Sequence, residues 1–215
     1  MRRRSSAEGM AWIGRSIAAL SAVALSACIT TPTDQEIAAK ATTMLKSSFK
    51  ANGQATLDRL DQDETQRICS EFAGKEPPRE VAQKIEQLNL ATIKYPTDGK
   101  LLGDWKSGER IAQEGRGKQF SDDPAGPVGG NCYACHRLSS QELSYGTMGP
   151  SLYQFGKLRG YTAETQRYAY GKIYNPEAFV ACSNMPRFGH NGILSEQQIK
   201  DVTALLMDPA SPVNR

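Results

Sequence analysis

The sequence predicts an all-α protein, and three observations carry that expectation. Apolar residues recur at helical spacing in several segments, beginning with Ile37, Ala41, Leu45 and Phe49 at every fourth position. Ser195 followed by Gln198 is a capping-box pattern that opens a final apolar run of Ile199, Val202, Leu205 and Leu206. No segment sustains the apolar–polar alternation of a half-buried strand. With 215 residues the chain can bury a real core. Its 39% hydrophobic and 23% charged residues, at a mean hydropathy of −0.50, exclude a polytopic membrane protein and a wholly disordered chain.

Residues 1–27 read as an export signal. Arg2, Arg3 and Arg4 precede an apolar run of twelve residues, Ser16 to Ala27. As a helix that run spans about 18 Å, well short of a roughly 30 Å hydrocarbon core, so a signal peptide is expected rather than a membrane span. Leu25-Ser26-Ala27-Cys28 resembles a bacterial lipobox, which makes Cys28 a lipidation candidate; ordinary cleavage after Ala22-Val23-Ala24 is the alternative. Either route leads to an oxidising compartment, the periplasm, with a lipid anchor on Cys28 in the first case. Four of the 26 basic residues and one of the 23 acidic residues lie in this segment, leaving 22 of each in the rest. The basic surplus therefore belongs to the signal, and no nucleic-acid partner is expected.

Beyond a short tether at residues 31–35, the Ile37–Phe49 stripe ends at Asn52-Gly53. Leu57, Leu60, Ile68 and Phe72 suggest further helical turns, and Val81, Ile85 and Leu88 another helix closed by Tyr95-Pro96-Thr97-Asp98-Gly99. A second unit starts near Gly103. Trp105, Ile111 and Ala112 share a helical face there, a long loop follows through Gly130, and Pro209 ends the last helix.

The chemistry sits in Cys132-Tyr133-Ala134-Cys135-His136. C-x-x-C-H reads as covalent c-type haem attachment, since two thiols about one helical turn apart can add to the two vinyl groups of one porphyrin. His136 then follows directly as an iron ligand. A thioredoxin-like site would want a βαβ context, and a zinc site would need Cys69 and Cys182 as ligands from scattered positions. Gly149-Pro150 follows at thirteen residues beyond His136, where c-type cytochromes commonly have a proline carbonyl accepting from the histidine Nδ1; Pro150 is expected to do so, with a plain Gly-Pro turn as the alternative. Met185, in a loop stiffened by Pro186 and ended by Gly189, is the expected sixth ligand, with His190 and Cys182 as competitors. Met148 and Met207 are expected to play no such part. Such a haem has no open position for substrate and would relay electrons. Cys69 and Cys182 remain, a disulfide candidate that would staple the N-terminal helices to the Met185 loop, or else two buried thiols.

Gly103-Asp104-Trp105-Lys106-Ser107-Gly108-Glu109, the haem motif, and Met185-Pro186 with its final helix resemble a class I cytochrome c domain. More specifically, the runs GGNCYACH, YGTMGPSLYQFGKLRG, KIYNPEAF, ACSNMPRFGHNGIL and LLMDPASPVNR resemble the SoxX family, the mono-haem subunits of the SoxAX cytochromes of bacterial thiosulfate oxidation. The resemblance covers roughly residues 103–215, a class I cytochrome c domain, which follows the signal peptide at 1–27 and a helical N-terminal extension at 28–102 that matches no motif. It further implies one haem c, and membership of an L-cysteine S-thiosulfotransferase that joins thiosulfate to a cysteine of the carrier SoxYZ. The bond-making site would lie on the partner SoxA, so this chain would hold no catalytic residue. Electrons would pass through the His136/Met185 haem to a downstream soluble cytochrome. The alternatives are a stand-alone shuttle cytochrome, a haem protein with an open iron position, and a zinc-bearing lipoprotein. The neutral balance of charge suits a lasting apolar partner, and Tyr133, Tyr145, Tyr153, Phe155, Tyr161 and Tyr168 are aromatics available to an interface or to the core.

Overall fold

A computed structural model describes residues 31–215; the signal segment 1–27 and Cys28 lie outside the described residues. Among those described there are seven α-helices and no strand: α1 (Asp34–Ser48), α2 (Glu64–Glu71), α3 (Arg79–Leu90), α4 (Trp105–Gln113), α5 (Phe155–Arg159), α6 (Ala163–Tyr174) and α7 (Glu196–Met207). Residues 42–215 form one compact unit. The break at residue 102 is therefore where the sequence resemblance starts, while packing continues across it.

The centre of the fold is the contact of α4 with α7. Asp104 caps α4, its carboxylate accepting from the backbone N–H of Lys106 and Ser107. The Asp104 N–H in turn donates to Oδ1 of the buried Asp201 on α7, at 2.9 Å. At Gly108 the helices meet backbone to backbone, because any Cβ there would overlap the Asp201 carbonyl oxygen. The helix α7 opens with the capping box expected from Ser195 and Gln198, and buries Ile199, Val202, Leu205 and Leu206. It also buries Met207, which serves as core. The main apolar cluster joins these residues to Ile111, Tyr133, Leu138, Phe155, Tyr170 and Phe188.

The extension helices differ from the sequence reading in two places. Ile37 and Leu45 of α1 are exposed, as is Phe49 just beyond it, and no residue of that helix is buried. In α3 Ile85 is buried, but Leu88 is exposed and the neighbouring Asn89 takes the inward position. Asn89 can be buried because its amide is fully used. Its Nδ2 donates to Thr65 Oγ1 and the Ile85 carbonyl, while its Oδ1 accepts from Asn175 Nδ2 at 2.9 Å. That amide pair ties α3 to the end of α6. Tyr170 adds a second tie through its hydroxyl, which donates to the Lys94 carbonyl at 3.2 Å.

Candidate functional site

The motif at 132–136 is held by the end of α4. Gly130 N–H donates to the Ile111 carbonyl and Asn131 N–H to that of Glu114, both at 2.9 Å, and Asn131 turns the chain through a left-handed conformation at φ 45°. Residues Cys132–Ala134 then make one tight turn, in which the Cys132 carbonyl accepts from both Cys135 N–H and His136 N–H. This compresses the two cysteines and the histidine into a single turn. Neither cysteine is in a disulfide. Burial pushes the Cys132 thiol up to about 12, which keeps it a neutral S–H.

The following loop is laid along this turn by three backbone bonds of 2.8 Å: Gly146 N–H to the Tyr133 carbonyl, Gly149 N–H to that of Cys135, and Leu152 N–H to that of Arg137. They bring the Pro150 carbonyl to 2.7 Å from His136 Nδ1. A carbonyl oxygen can only accept, so the proton sits on Nδ1 and Nε2 keeps its lone pair for a metal. Gly149 permits the approach, since a Cβ at that position would overlap the imidazole. Beside this turn the Arg137 guanidinium lies over the rings of Tyr145 and Tyr153, at 5.5 and 5.2 Å.

Met185 lies on a loop fixed at both ends. Its N–H donates to Ser183 Oγ at 3.2 Å, and further along Gly189 N–H and His190 N–H both donate to the Tyr174 carbonyl of α6. The half-buried Met185 side chain packs against the main apolar cluster, as do Cys132 and Leu152, so the thiol motif and the thioether border one core. Met148, by contrast, is exposed on the preceding loop. Cys182 is bonded to Cys69, with Cα atoms 5.4 Å apart, so its sulfur is not available as a ligand and the four-cysteine zinc set does not form. His190 is solvent-facing, and partial burial followed by the Arg187 charge pushes its imidazole below the usual range. An open cavity of about 800 Å³ separates α2 from this loop; Met185 lines it together with Cys69, Glu177, Cys182 and Arg187, and the 132–136 turn does not.

Two free sulfurs within one turn, an adjacent imidazole of fixed tautomer and a half-buried thioether form a donor set that fits an iron porphyrin. A family model described as cytochrome c matches residues 114–208, the span that contains the thiol motif, Pro150 and Met185. The chain contains a cytochrome c domain, of a family whose members carry covalently attached haem c, and its all-α helical fold agrees with that class. A protein of Aquifex aeolicus (strain VF5) described as an uncharacterized lipoprotein is 40% identical over 156 residues, covering 72% of this chain and 73% of that protein, and the two belong to one family.

Sequence reasoning missed the residues that support the Met185 loop. Arg187 is buried and pairs with Asp63, the N-cap of α2, at 2.6 Å; Glu177 is buried beside the backbone N–H groups of Cys182 and Ser183. No local pattern marks these contacts. The only signal was the basic residue placed two positions after Met185.

Proposed function

We propose that Cys132 and Cys135 carry the haem through thioether bonds, that His136 and Met185 are its axial ligands, and that the chain is the electron-transfer subunit of a SoxAX-type L-cysteine S-thiosulfotransferase. The observation that carries the haem assignment is the Pro150 carbonyl 2.7 Å from His136 Nδ1, over a glycine that leaves no room for a Cβ. When bound, haem c supplies a one-electron couple, whose potential a methionine ligand raises. The chain's own part is positional. The 132–136 turn orients the imidazole, the Pro150 carbonyl fixes its tautomer, and the loop at 182–190 presents Met185 from a restrained backbone.

The sequence runs shared with SoxX support the finer assignment. On this reading SoxA would be the bond-making partner in a heterodimer, SoxYZ the carrier acted on, and a soluble cytochrome the electron acceptor. The lipobox at Leu25–Cys28, together with the description of the Aquifex relative as a lipoprotein, supports export to the periplasm and a lipid on Cys28.

Three measurements test the reading. A pyridine haemochrome assay is expected to find one c-type haem, and near-infrared magnetic circular dichroism of the oxidised protein a methionine-to-iron feature that Met185→Ala abolishes. Copurification from the native host, followed by haem staining, is expected to recover a second haem-bearing subunit. A lone haem protein would make the chain a stand-alone shuttle, and a colourless one would remove the haem reading.

A further inference from the structure

Met185 is bracketed by two attachments to one short helix. Three residues before it, Cys182 is bonded to Cys69 on α2. Two residues after it, Arg187 reaches Asp63, the N-cap of the same helix, with Nη2 to Oδ2 at 2.6 Å. The Asp63 carboxylate is shared, since its other oxygen accepts from Gln66 N–H at 2.9 Å and closes the capping box of α2. The Arg187 side chain is only 9% exposed, so its charge has lost most of its water and depends on that carboxylate. Cys182 itself adopts a left-handed conformation at φ 57°, one that residues with a Cβ rarely take and that persists only where its surroundings hold it. The buried Glu177 carboxyl lies beneath, against the Cys182 and Ser183 backbone.

From this geometry we infer that α2 of the N-terminal extension is a strap that holds Met185 on the haem iron, with Asp63 and Arg187 as positioning residues and the Cys69–Cys182 bond as the second fastening. The inference deepens the proposed function and rests on Met185 being the axial ligand. It gives the extension a role in the redox site: the helix sets how firmly the sixth position is filled. With both fastenings in place the thioether stays bound. With both released, the loop carries Met185 away and opens the iron to small exogenous ligands.

Asp63→Asn isolates one fastening, because asparagine is as good an N-cap as aspartate but carries no charge for Arg187. The second is removed by Cys69→Ser with Cys182→Ser, and a third protein combines all three changes. In each holoprotein we would record the methionine-to-iron feature, the midpoint potential and carbon monoxide binding to the reduced form, with far-ultraviolet circular dichroism to follow the helices. Asp63→Asn alone is expected to keep its helices and lose the methionine feature at a lower temperature than helix melting, whereas in the unaltered protein the two coincide. The combined variant is expected to bind carbon monoxide several-fold faster and to have a lower potential. If the combined variant does not fold, the temperature gap in Asp63→Asn still decides. An unchanged feature, potential and carbon monoxide response in folded variants overturns the strap alone. A feature that survives Met185→Ala overturns the ligand assignment and the strap with it.

Discussion

Gly149 shows how one missing side chain can decide a cofactor site. The imidazole of His136 occupies the space where a Cβ would stand, and the Pro150 carbonyl arrives at Nδ1 because the backbone can pass that close. Gly149→Ala is therefore expected to push the loop off the ring, at a cost of about 1–3 kcal/mol typical of overpacking. Chemical denaturation of the holoprotein would measure it, and a loss of the histidine hydrogen bond would appear as a shift of the Nδ1 proton resonance. The C-x-x-C-H motif was legible because its spacing is local, and the hydrogen bond expected between His136 and the Pro150 carbonyl is present. Arg187 was not visible, since its partner Asp63 lies far away along the chain, and neither was Glu177, whose partners are backbone N–H groups of Cys182 and Ser183 that no residue type marks.

At the scale of elements, α7 was legible from its capping box and apolar spacing and α4 from apolar spacing alone, and both appear where those signals place them. Their close approach at Gly108 was not, because a glycine in a helix looks like a weakness until its neighbour is known. Gly108→Val is expected to force the two helices apart and to lower stability by about 1–3 kcal/mol, seen as a lower urea midpoint. The helix α3 misled because periodicity ranks Leu88 above Asn89, whereas burial followed the hydrogen-bond partners Thr65 and Asn175. The helix α6 went unread although Thr162 caps it and Ala169, Tyr170 and Ile173 lie on its buried face.

The strap helix α2 brings a pH dependence of its own. Partial burial raises the Asp63 pKa, but the Gln66 N–H and then the Arg187 hydrogen bond and charge outweigh it and hold the carboxyl below its ordinary range. A depressed carboxylate contributes stability that is present above its unfolded pKa and lost as pH falls through the folded one. Asp63→Asn is thus expected to be less stable than the unaltered protein near neutrality, by on the order of 1 kcal/mol given that Asp63 is 42% exposed. Melting curves taken at descending pH should show that gap closing below the ordinary carboxylate range.

Over the whole molecule, the Cys69–Cys182 bond closes a sequence separation of 113 residues around α3, α4, the 132–136 motif, α5 and α6, and ends three residues before Met185. Its reduction by a phosphine is expected to lower unfolding free energy by about 2–4 kcal/mol, measured as a shift of the denaturant midpoint at constant slope. The fold holds together in one unit from residue 42 onward, so loosening this bond is felt by the domain that carries the haem motif as well as by the extension.

By itself the sequence determined the helical class and the C-x-x-C-H motif with the Gly149-Pro150 that follows it, and it left Cys69 and Cys182 as a disulfide candidate or two buried thiols. All of these depend on spacing of a few residues or on the type of residue present, which a linear string records. Tertiary structure alone decided that Asn89 replaces Leu88 in the interior, that Gly108 is a helix contact, and that Asp63 and Cys69 fasten one helix to both sides of Met185. The physical reason is that desolvation and charge pairing act through space: a buried polar group is stable only beside its partner, and nothing in the local sequence names that partner.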